Sequence, residues 1–201
     1  AGAVNVLYGS ATGPTASGSQ FFSQDSTGLD SSAEDFDLFG DALAAGDFNS
    51  DGFADLAIGA PGESGSVPAV GGVSVLYGGI GGLTGTGSQF FTQDSPGVGN
   101  SSEEADFFGA GLPVGDFNGD GFGDLAVGVP GETIGSLVSA GMVNVLYGGT
   151  GGLTGSGSQA FNQNNVVVGS AAERNDSFGF VLAAGDFNND GFTDLSVGVP
   201  F

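Results

Sequence analysis

Short stretches in which apolar and polar residues alternate recur along the chain, and Gly-rich segments separate them. In residues 3–8, for example, Val4, Val6 and Tyr8 fall on one face of a predicted strand. The same unit predicts a turn over residues 9–18 and further strands at residues 20–24, 39–48 and 55–60, the last with Leu56, Ile58 and Ala60 in alternation. Because Gly and β-branched residues interrupt every candidate helical stripe, the pattern indicates an all-β chain.

Three sequence markers repeat with one common period. The segment VNVLYG, or a close copy of it, begins at Val4, Val73 and Val143, so the copies are spaced by 69 and 70 residues. The segments GSQFF or GSQAF and the segments GDFN keep the same step, and they begin at Gly18, Gly87 and Gly157 and at Gly46, Gly115 and Gly185. Markers that share a period indicate copies of one structural unit. We therefore divide the chain into three repeat units, at about residues 1–69, 70–139 and 140–201.

Four strands in a unit of about 70 residues are typical of a propeller blade, because solenoid coils are usually shorter. The chain opens on the VNVLYG strand and stops after the third copy of the DLSVG strand, in the middle of a blade. We therefore expect two full blades of four antiparallel strands flanked by two half blades. Propellers close with four to eight blades, so the expected fold is a partial propeller. Either the chain is part of a longer one, or its half blades are completed by a neighbouring molecule in a head-to-tail contact.

The charge balance excludes several classes of partner. The chain has 23 acidic residues and one basic residue, which gives a net charge of -22. We expect no nucleic-acid binding, which depends on Lys and Arg, and no membrane insertion, since no apolar run is long enough to span a bilayer. His and Cys are absent, so the usual general base, thiolate metal sites and a Ser-His-Asp arrangement are excluded. We therefore expect no enzyme activity.

The candidate chemistry is concentrated in three copies of the sequence DFNxDGFxD. Side-chain oxygens occupy positions 1, 3, 5 and 9 of each copy, a backbone carbonyl is expected from position 7, and Gly at position 6 allows a sharp turn. Because oxygen ligands in this number suit Ca²⁺, we predict three calcium sites. Their residues are Asp47, Asn49, Asp51, Phe53 and Asp55; Asp116, Asn118, Asp120, Phe122 and Asp124; and Asp186, Asn188, Asp190, Phe192 and Asp194.

Other interpretations of these loops are weaker. An EF-hand needs a bidentate Glu at position 12, which is held here by Ile58, Val127 and Val197. A metal-free hairpin turn would leave three carboxylates within nine residues to repel one another. Mg²⁺ prefers a tighter octahedron and keeps its waters, which makes it a poorer match than Ca²⁺.

The residues around the loops complete a family pattern. Phe39-Gly40, Phe108-Gly109 and Phe178-Gly179 precede the loops, and GAP or GVP triplets at residues 59–61, 128–130 and 198–200 follow them. With these motifs the chain resembles, over essentially its whole length, the FG-GAP repeat of the integrin α-subunit propeller and of secreted bacterial proteins. The resemblance implies a seven-bladed extracellular propeller with Ca²⁺ in hairpin loops on one face. The three repeat units depart from that blade count.

Two functions remain open on these grounds. The first is an extracellular calcium-binding scaffold or adhesion module that binds a protein or carbohydrate partner. The second is a structural subunit of a surface layer or filament that binds further copies of itself through split blades. A non-catalytic propeller appended to a larger secreted enzyme is a third arrangement. The acids that precede each FG, in residues 33–40, 103–109 and 172–179, are expected to lie in solvated loops, with a second cation surface as the alternative.

Overall fold

The computed structural model describes residues 1–165 and 171–201, which form β-strands joined by turns and loops. Their strands, in chain order, are β1 Val4–Tyr8, β2 Thr15–Phe22, β3 Leu43–Gly46, β4 Asp55–Ala60, β5 Gly72–Tyr77, β6 Thr84–Phe91, β7 Val114–Gly115, β8 Asp124–Val129, β9 Met142–Tyr147, β10 Thr154–Phe161, β11 Leu182–Gly185 and β12 Asp194–Val197. No helix with the length and hydropathy needed to cross a bilayer is found among the described residues.

The strands form four antiparallel sheets that follow one another along the chain. Sheet I contains β1 and β2, sheet II contains β3 to β6, sheet III contains β7 to β10, and sheet IV contains β11 and β12. In sheets II and III the strand order is the chain order, as in a meander. The prediction of two full blades flanked by two half blades is therefore confirmed.

The two full blades share one register. Leu56 lies opposite Leu76 where β4 pairs with β5, and Leu125 lies opposite Leu146 where β8 pairs with β9. These four leucines occupy equivalent positions 69 or 70 residues apart, so the repeat in the sequence is also a repeat of strand pairing.

The hydrophobic core consists of layers between neighbouring sheets. On β4, Ile58 packs towards sheet I with Val4 and Phe22, whereas Ala57 joins the layer shared by sheets II and III. The sequence predicted one buried face of β4, but Ala57 and Gly59 on the opposite face are buried as well. Successive side chains of a strand point to opposite faces, and β4 has a neighbouring sheet on both faces.

Two predicted boundaries were wrong. Strand β2 begins at Thr15, inside the predicted turn, and ends at Phe22. Its pairing with β1 is irregular between Val6 and Tyr8, and Gly18 has a φ of 74°, so the Gly-rich sequence allows a bulge within the strand as well as a turn before it. Strand β3 is limited to Leu43–Gly46, since the amide of Gly40 bonds instead to the carbonyl of Gly59 at 2.9 Å.

The FG and GAP motifs hold adjacent sheets close together. Phe108 donates its amide to the carbonyl of Val70 in the segment before β5, and Gly109 donates to Gly128 at the end of β8. The α-carbon of Gly128 in turn lies against the carbonyl of Gly179, which precedes sheet IV, so that a β-carbon at position 128 would overlap that oxygen. Glycine in the GVP triplet therefore allows sheets III and IV to approach each other.

Candidate metal centres

The three predicted metal loops occupy the same place in three sheets. Residues 47–55 run from the end of β3 to the first residue of β4, residues 116–124 from β7 to the first residue of β8, and residues 186–194 from β11 to the first residue of β12. Each loop closes a hairpin between the first two strands of its sheet. The structure thus places all three candidate sites at corresponding hairpins, as the spacing in the sequence predicts.

Within the first loop, the side chains at positions 1, 3 and 5 turn inward onto backbone amides. Asp47 accepts hydrogen bonds from the amides of Asp51 and Gly52, at 3.1 and 2.9 Å. The Asp51 amide also donates to the side-chain oxygen of Asn49 at 3.0 Å. Asp51 in turn accepts the amide of Phe53 at 2.9 Å. These shared donors bring the oxygens of Asp47, Asn49 and Asp51 to one side of the loop.

The other two loops repeat this geometry. The equivalent bonds lie between 2.8 and 3.1 Å in residues 116–122 and 186–192. Position 6 has a φ close to 90° in each loop, at Gly52, Gly121 and Gly191, which a residue with a β-carbon adopts only with strain. Three different sequences at positions 4 and 8 therefore reach one loop conformation.

Position 9 behaves differently from positions 1, 3 and 5. Asp55 is 1% exposed, and its two carboxylate oxygens accept the amides of Phe48 at 2.8 Å and Gly78 at 2.9 Å. Asp124 repeats the arrangement with Phe117 and Gly148. Desolvation raises the pKa of Asp55 and of Asp124, and the two backbone hydrogen bonds partly oppose that rise. The carboxylate at position 9 thus connects the loop to the third strand of the same sheet.

The third loop is more open at this position. Asp194 is only partly buried, and it accepts the amide of Phe187 at 2.8 Å. Asp186, at position 1 of this loop, has a pKa below its ordinary value, mainly because the amide of Gly191 donates to its carboxylate. A carboxylate that accepts several amides stays ionised and remains available to a cation.

The donor set of each loop fits a hard divalent cation. Three side chains with exposed or partly exposed oxygens converge at positions 1, 3 and 5, and the loop conformation that gathers them is already formed. Position 9 supplies a fourth side chain, which is the third carboxylate of the loop, and the carbonyls of Phe53, Phe122 and Phe192 are the expected backbone ligands. Carboxylate, amide and carbonyl oxygens in this number suit Ca²⁺.

Five buried acids were not expected from the sequence. Asp37 and Asp106, which precede the first two FG motifs, are 0% exposed, and Asp176, which precedes the third, is 8% exposed, so the expectation that these acids lie in solvated loops is wrong for all three. Glu63 and Glu132, which follow the GAP and GVP motifs, are also buried, and the structure brings Glu132 close to Asp106. The signal that could have indicated the glutamates is the repeated sequence Pro-Gly-Glu at residues 61–63 and 130–132.

Comparison with known proteins identifies the repeat. The profile of the FG-GAP repeat matches residues 39–76, 108–146 and 178–201. Each match begins at the FG motif and continues through a candidate metal loop into the strand that follows or to the end of the chain.

Two groups of relatives are similar to this chain. Phosphatidylinositol-glycan-specific phospholipase D of Bos taurus is 35% identical over 162 residues. Integrin alpha-3 of Mus musculus is 32% identical and integrin alpha-7 of Rattus norvegicus 34% identical, each over 162 residues. The matched region is about 80% of this chain in all three cases, but only 18%, 14% and 12% of the respective relatives.

Proposed function

Because the chain belongs to the FG-GAP repeat family, we propose that it is a calcium-binding propeller module that acts outside the cell as a scaffold or adhesion surface. In this proposal the residues at positions 1, 3, 5, 7 and 9 of the three hairpins hold Ca²⁺. A protein or carbohydrate partner binds to the surface that the blades present, and the module has no catalytic activity of its own. The repeat region extends over residues 1–201.

The observation that carries this proposal is the identical conformation of the three hairpins. In each of them, the amide of the position 5 aspartate donates to side-chain oxygens of positions 1 and 3 at 2.8–3.1 Å. A turn without a ligand can be formed by an Asn or Asp side chain that bonds to the backbone two residues on, so it would not need carboxylates at three positions. Bound Ca²⁺ would neutralise part of the net charge of -22 and stiffen the hairpins.

The non-catalytic and extracellular roles rest on other observations. The matched region is shared by relatives named as a phospholipase D and by relatives named as integrins, which favours a common scaffold over a common reaction. The chain has no His or Cys, and its candidate carboxylates are engaged in loops and backbone contacts. Extracellular calcium modules bind at about 10⁻⁴ to 10⁻³ M, a range that fits the millimolar Ca²⁺ outside cells.

The experiment is a thermal unfolding measurement with millimolar Ca²⁺ and with chelator. We expect Ca²⁺ to raise the unfolding midpoint, because a ligand that binds only the folded state stabilises it, by about 0.4–1.4 kcal/mol per site at about 1 to 10 times Kd. Substituting the exposed position 5 residues, as Asp51→Ala, Asp120→Ala and Asp190→Ala together, should remove most of the rise. A charge-matched triple variant at exposed acids outside the loops, Asp30→Ala, Asp41→Ala and Glu104→Ala, should keep it. An unchanged midpoint with Ca²⁺ in the unsubstituted protein would refute the proposal.

A second candidate function is assembly through the half blades. Leu7 on β1 is 58% exposed, whereas its equivalents Leu76 and Leu146 are 0% exposed because β4 and β8 cover them. The register of the full blades would place Leu195 of β12 opposite Leu7 of a second copy. Further repeats in a longer chain would pair with the same free edges of β1 and β12. In both cases each two-stranded sheet would become a four-stranded sheet.

Mass measurement in solution tests the assembly. Head-to-tail association predicts oligomers that grow with protein concentration, and the substitution Leu7→Asp should reduce them. Ile80→Asp is the control, since Ile80 is 98% exposed and belongs to the turn between β5 and β6. A stable monomer at high concentration would exclude this candidate.

A further inference from the structure

A second group of acidic side chains lies at the joint between sheets II and III. Glu103 and Asp106 belong to the connection from β6 to β7, and Glu132 follows β8. One carboxylate oxygen from each residue lies within 4.8 Å of the others. None of the three belongs to a hairpin loop, so this group, which we call the joint cluster, is separate from the sites described above.

Most of the joint cluster is removed from water. Asp106 and Glu132 are both 0% exposed, while Glu103 is exposed and lies at the surface of the cluster. Burial raises the pKa of Asp106 to about 6 and that of Glu132 to about 7. Arg174 is the one basic residue of the sequence, so protein side chains offer these carboxylates almost no positive charge. Buried carboxylates without a counter-charge are costly, and they are usually paired or bound to a metal.

The hydrogen bonds around the cluster leave two oxygens unmatched. Glu132 accepts the side-chain amides of Gln93 and Asn100, each at 2.6 Å, and Asp106 accepts the amide of Glu103 at 2.5 Å. The other side-chain oxygens of Asp106 and Gln93 are buried and have no hydrogen-bond partner among the described residues. Gln93 is 1% exposed and its amide lies against Glu132, so its free oxygen adds a neutral ligand next to the carboxylates.

The same residues recur at the joint between sheets I and II. There Gln24 donates to Glu63, and the second side-chain oxygens of Gln24 and Asp37 are again buried without a partner in the described structure. An orphaned buried oxygen in one place could be an accident of packing. Two equivalent pairs at two joints indicate a site that needs a positively charged ligand.

We propose that Glu103, Asp106 and Glu132, together with the free oxygen of Gln93, bind a divalent cation at the joint between sheets II and III. The ligands are all hard oxygens, so the cation class is Ca²⁺, Mg²⁺ or Mn²⁺. Gln93 follows the last strand of sheet II and Glu132 follows the second strand of sheet III. The cation therefore ties two blades together, whereas a cation in a hairpin loop stabilises one blade. Glu34, Asp37 and Glu63 occupy the equivalent positions in the sequence at the preceding joint.

The test separates the joint cluster from the hairpin loops. In the triple variant Asp51→Ala, Asp120→Ala and Asp190→Ala, calorimetric titration with CaCl₂ and then with MnCl₂ should still show bound cation. Adding Glu132→Gln, which keeps the shape of the side chain and removes its charge, should lower the stoichiometry by one cation per chain. Glu104→Gln is the matched control, because Glu104 is an exposed neighbour of Glu103, and it should leave the stoichiometry unchanged.

A crystallographic measurement on the unsubstituted protein guards against variants that do not fold. Crystals grown with Mn²⁺ should show an anomalous peak within coordination distance of Asp106 and Glu132. A folded triple variant that binds no cation would overturn the joint site. Crystals with anomalous peaks at the hairpins alone would also overturn it. Either result would leave the hairpin proposal intact. Peaks at the joints alone would support the joint site, and the thermal unfolding measurement with Ca²⁺ tests the hairpin loops, so the two proposals can fail separately.

Discussion

The carboxylate of Asp124 accepts the backbone amide of Gly148 at 2.9 Å, across 24 residues of sequence. Its second oxygen accepts the amide of Phe117 at 2.8 Å. Gly148 directly follows β9, and Phe117 lies in the loop between β7 and β8, so one side chain fixes the hairpin against the third strand. Position 9 of the loop therefore has a structural role that does not depend on a bound cation.

Replacing this aspartate should destabilise the protein with or without Ca²⁺. Asp124→Ala leaves two amides without their acceptor, and we expect a loss of about 2–3 kcal/mol in the free energy of unfolding, measured by denaturant titration in chelator. Asp194→Ala is the matched control, because in the described structure Asp194 accepts one backbone amide, that of Phe187. The loss of stability in this variant should therefore be smaller. Equal losses for the two variants would contradict the role assigned to the Gly148 contact.

The glycine at position 6 should be required for its conformation and not for space. Gly52 has a φ of 89°, yet a β-carbon there would meet no atom within 4 Å. We expect Gly52→Ala to cost about 1–2 kcal/mol of stability through backbone strain, and to weaken Ca²⁺ binding. Gly81 is equally unobstructed without a positive φ, so Gly81→Ala should leave the thermal midpoint nearly unchanged. Equal thermal midpoints for Gly52→Ala and Gly81→Ala would show that backbone strain at position 6 does not affect stability.

The GVP glycine of sheet III should be required for space. A β-carbon at Gly128 would overlap the carbonyl of Gly179, so Gly128→Ala must push sheets III and IV apart. We expect a loss of about 1–3 kcal/mol, as for other overpacked positions, measured by thermal unfolding. Gly151→Ala, at an exposed position with no atom near the added carbon, is the control. An unaffected Gly128→Ala would show that the sheets are not held at this distance.

A tyrosine hydroxyl links sheets II and III at the other end of the interface. Tyr77 on β5 donates to Gln89 and accepts the amide of Leu153, in the turn between β9 and β10, at 3.2 Å. Tyr77→Phe should therefore cost about 1 kcal/mol. In sheet III the equivalent Tyr147 donates to Gln159 at 2.7 Å, and among the described residues its hydroxyl has no hydrogen bond to another sheet. Tyr147→Phe should consequently cost less in the same denaturant titration.

Much of the fold could be predicted because the repeat is local. The pattern of each unit indicated four strands, and the three markers indicated where the blades are interrupted, both of which the sheets confirm. The ends of β2 and β3 could not be predicted from the same pattern. Gly18 lies in a bulge and not in a turn, and Gly40 bonds to Gly59 outside the strand ladder.

The sequence by itself determined the blade phase, through markers repeated every 69 or 70 residues, and the hairpins and residue types of the candidate metal loops, through spacing within each nine-residue motif. Only the tertiary structure decided which carboxylates are buried. Asp124 reaches Gly148 on a later strand, and Asp106 meets Glu132 from a different segment of the chain. Desolvation depends on all the atoms that surround a group, and here those atoms come from neighbouring sheets, which no local pattern describes.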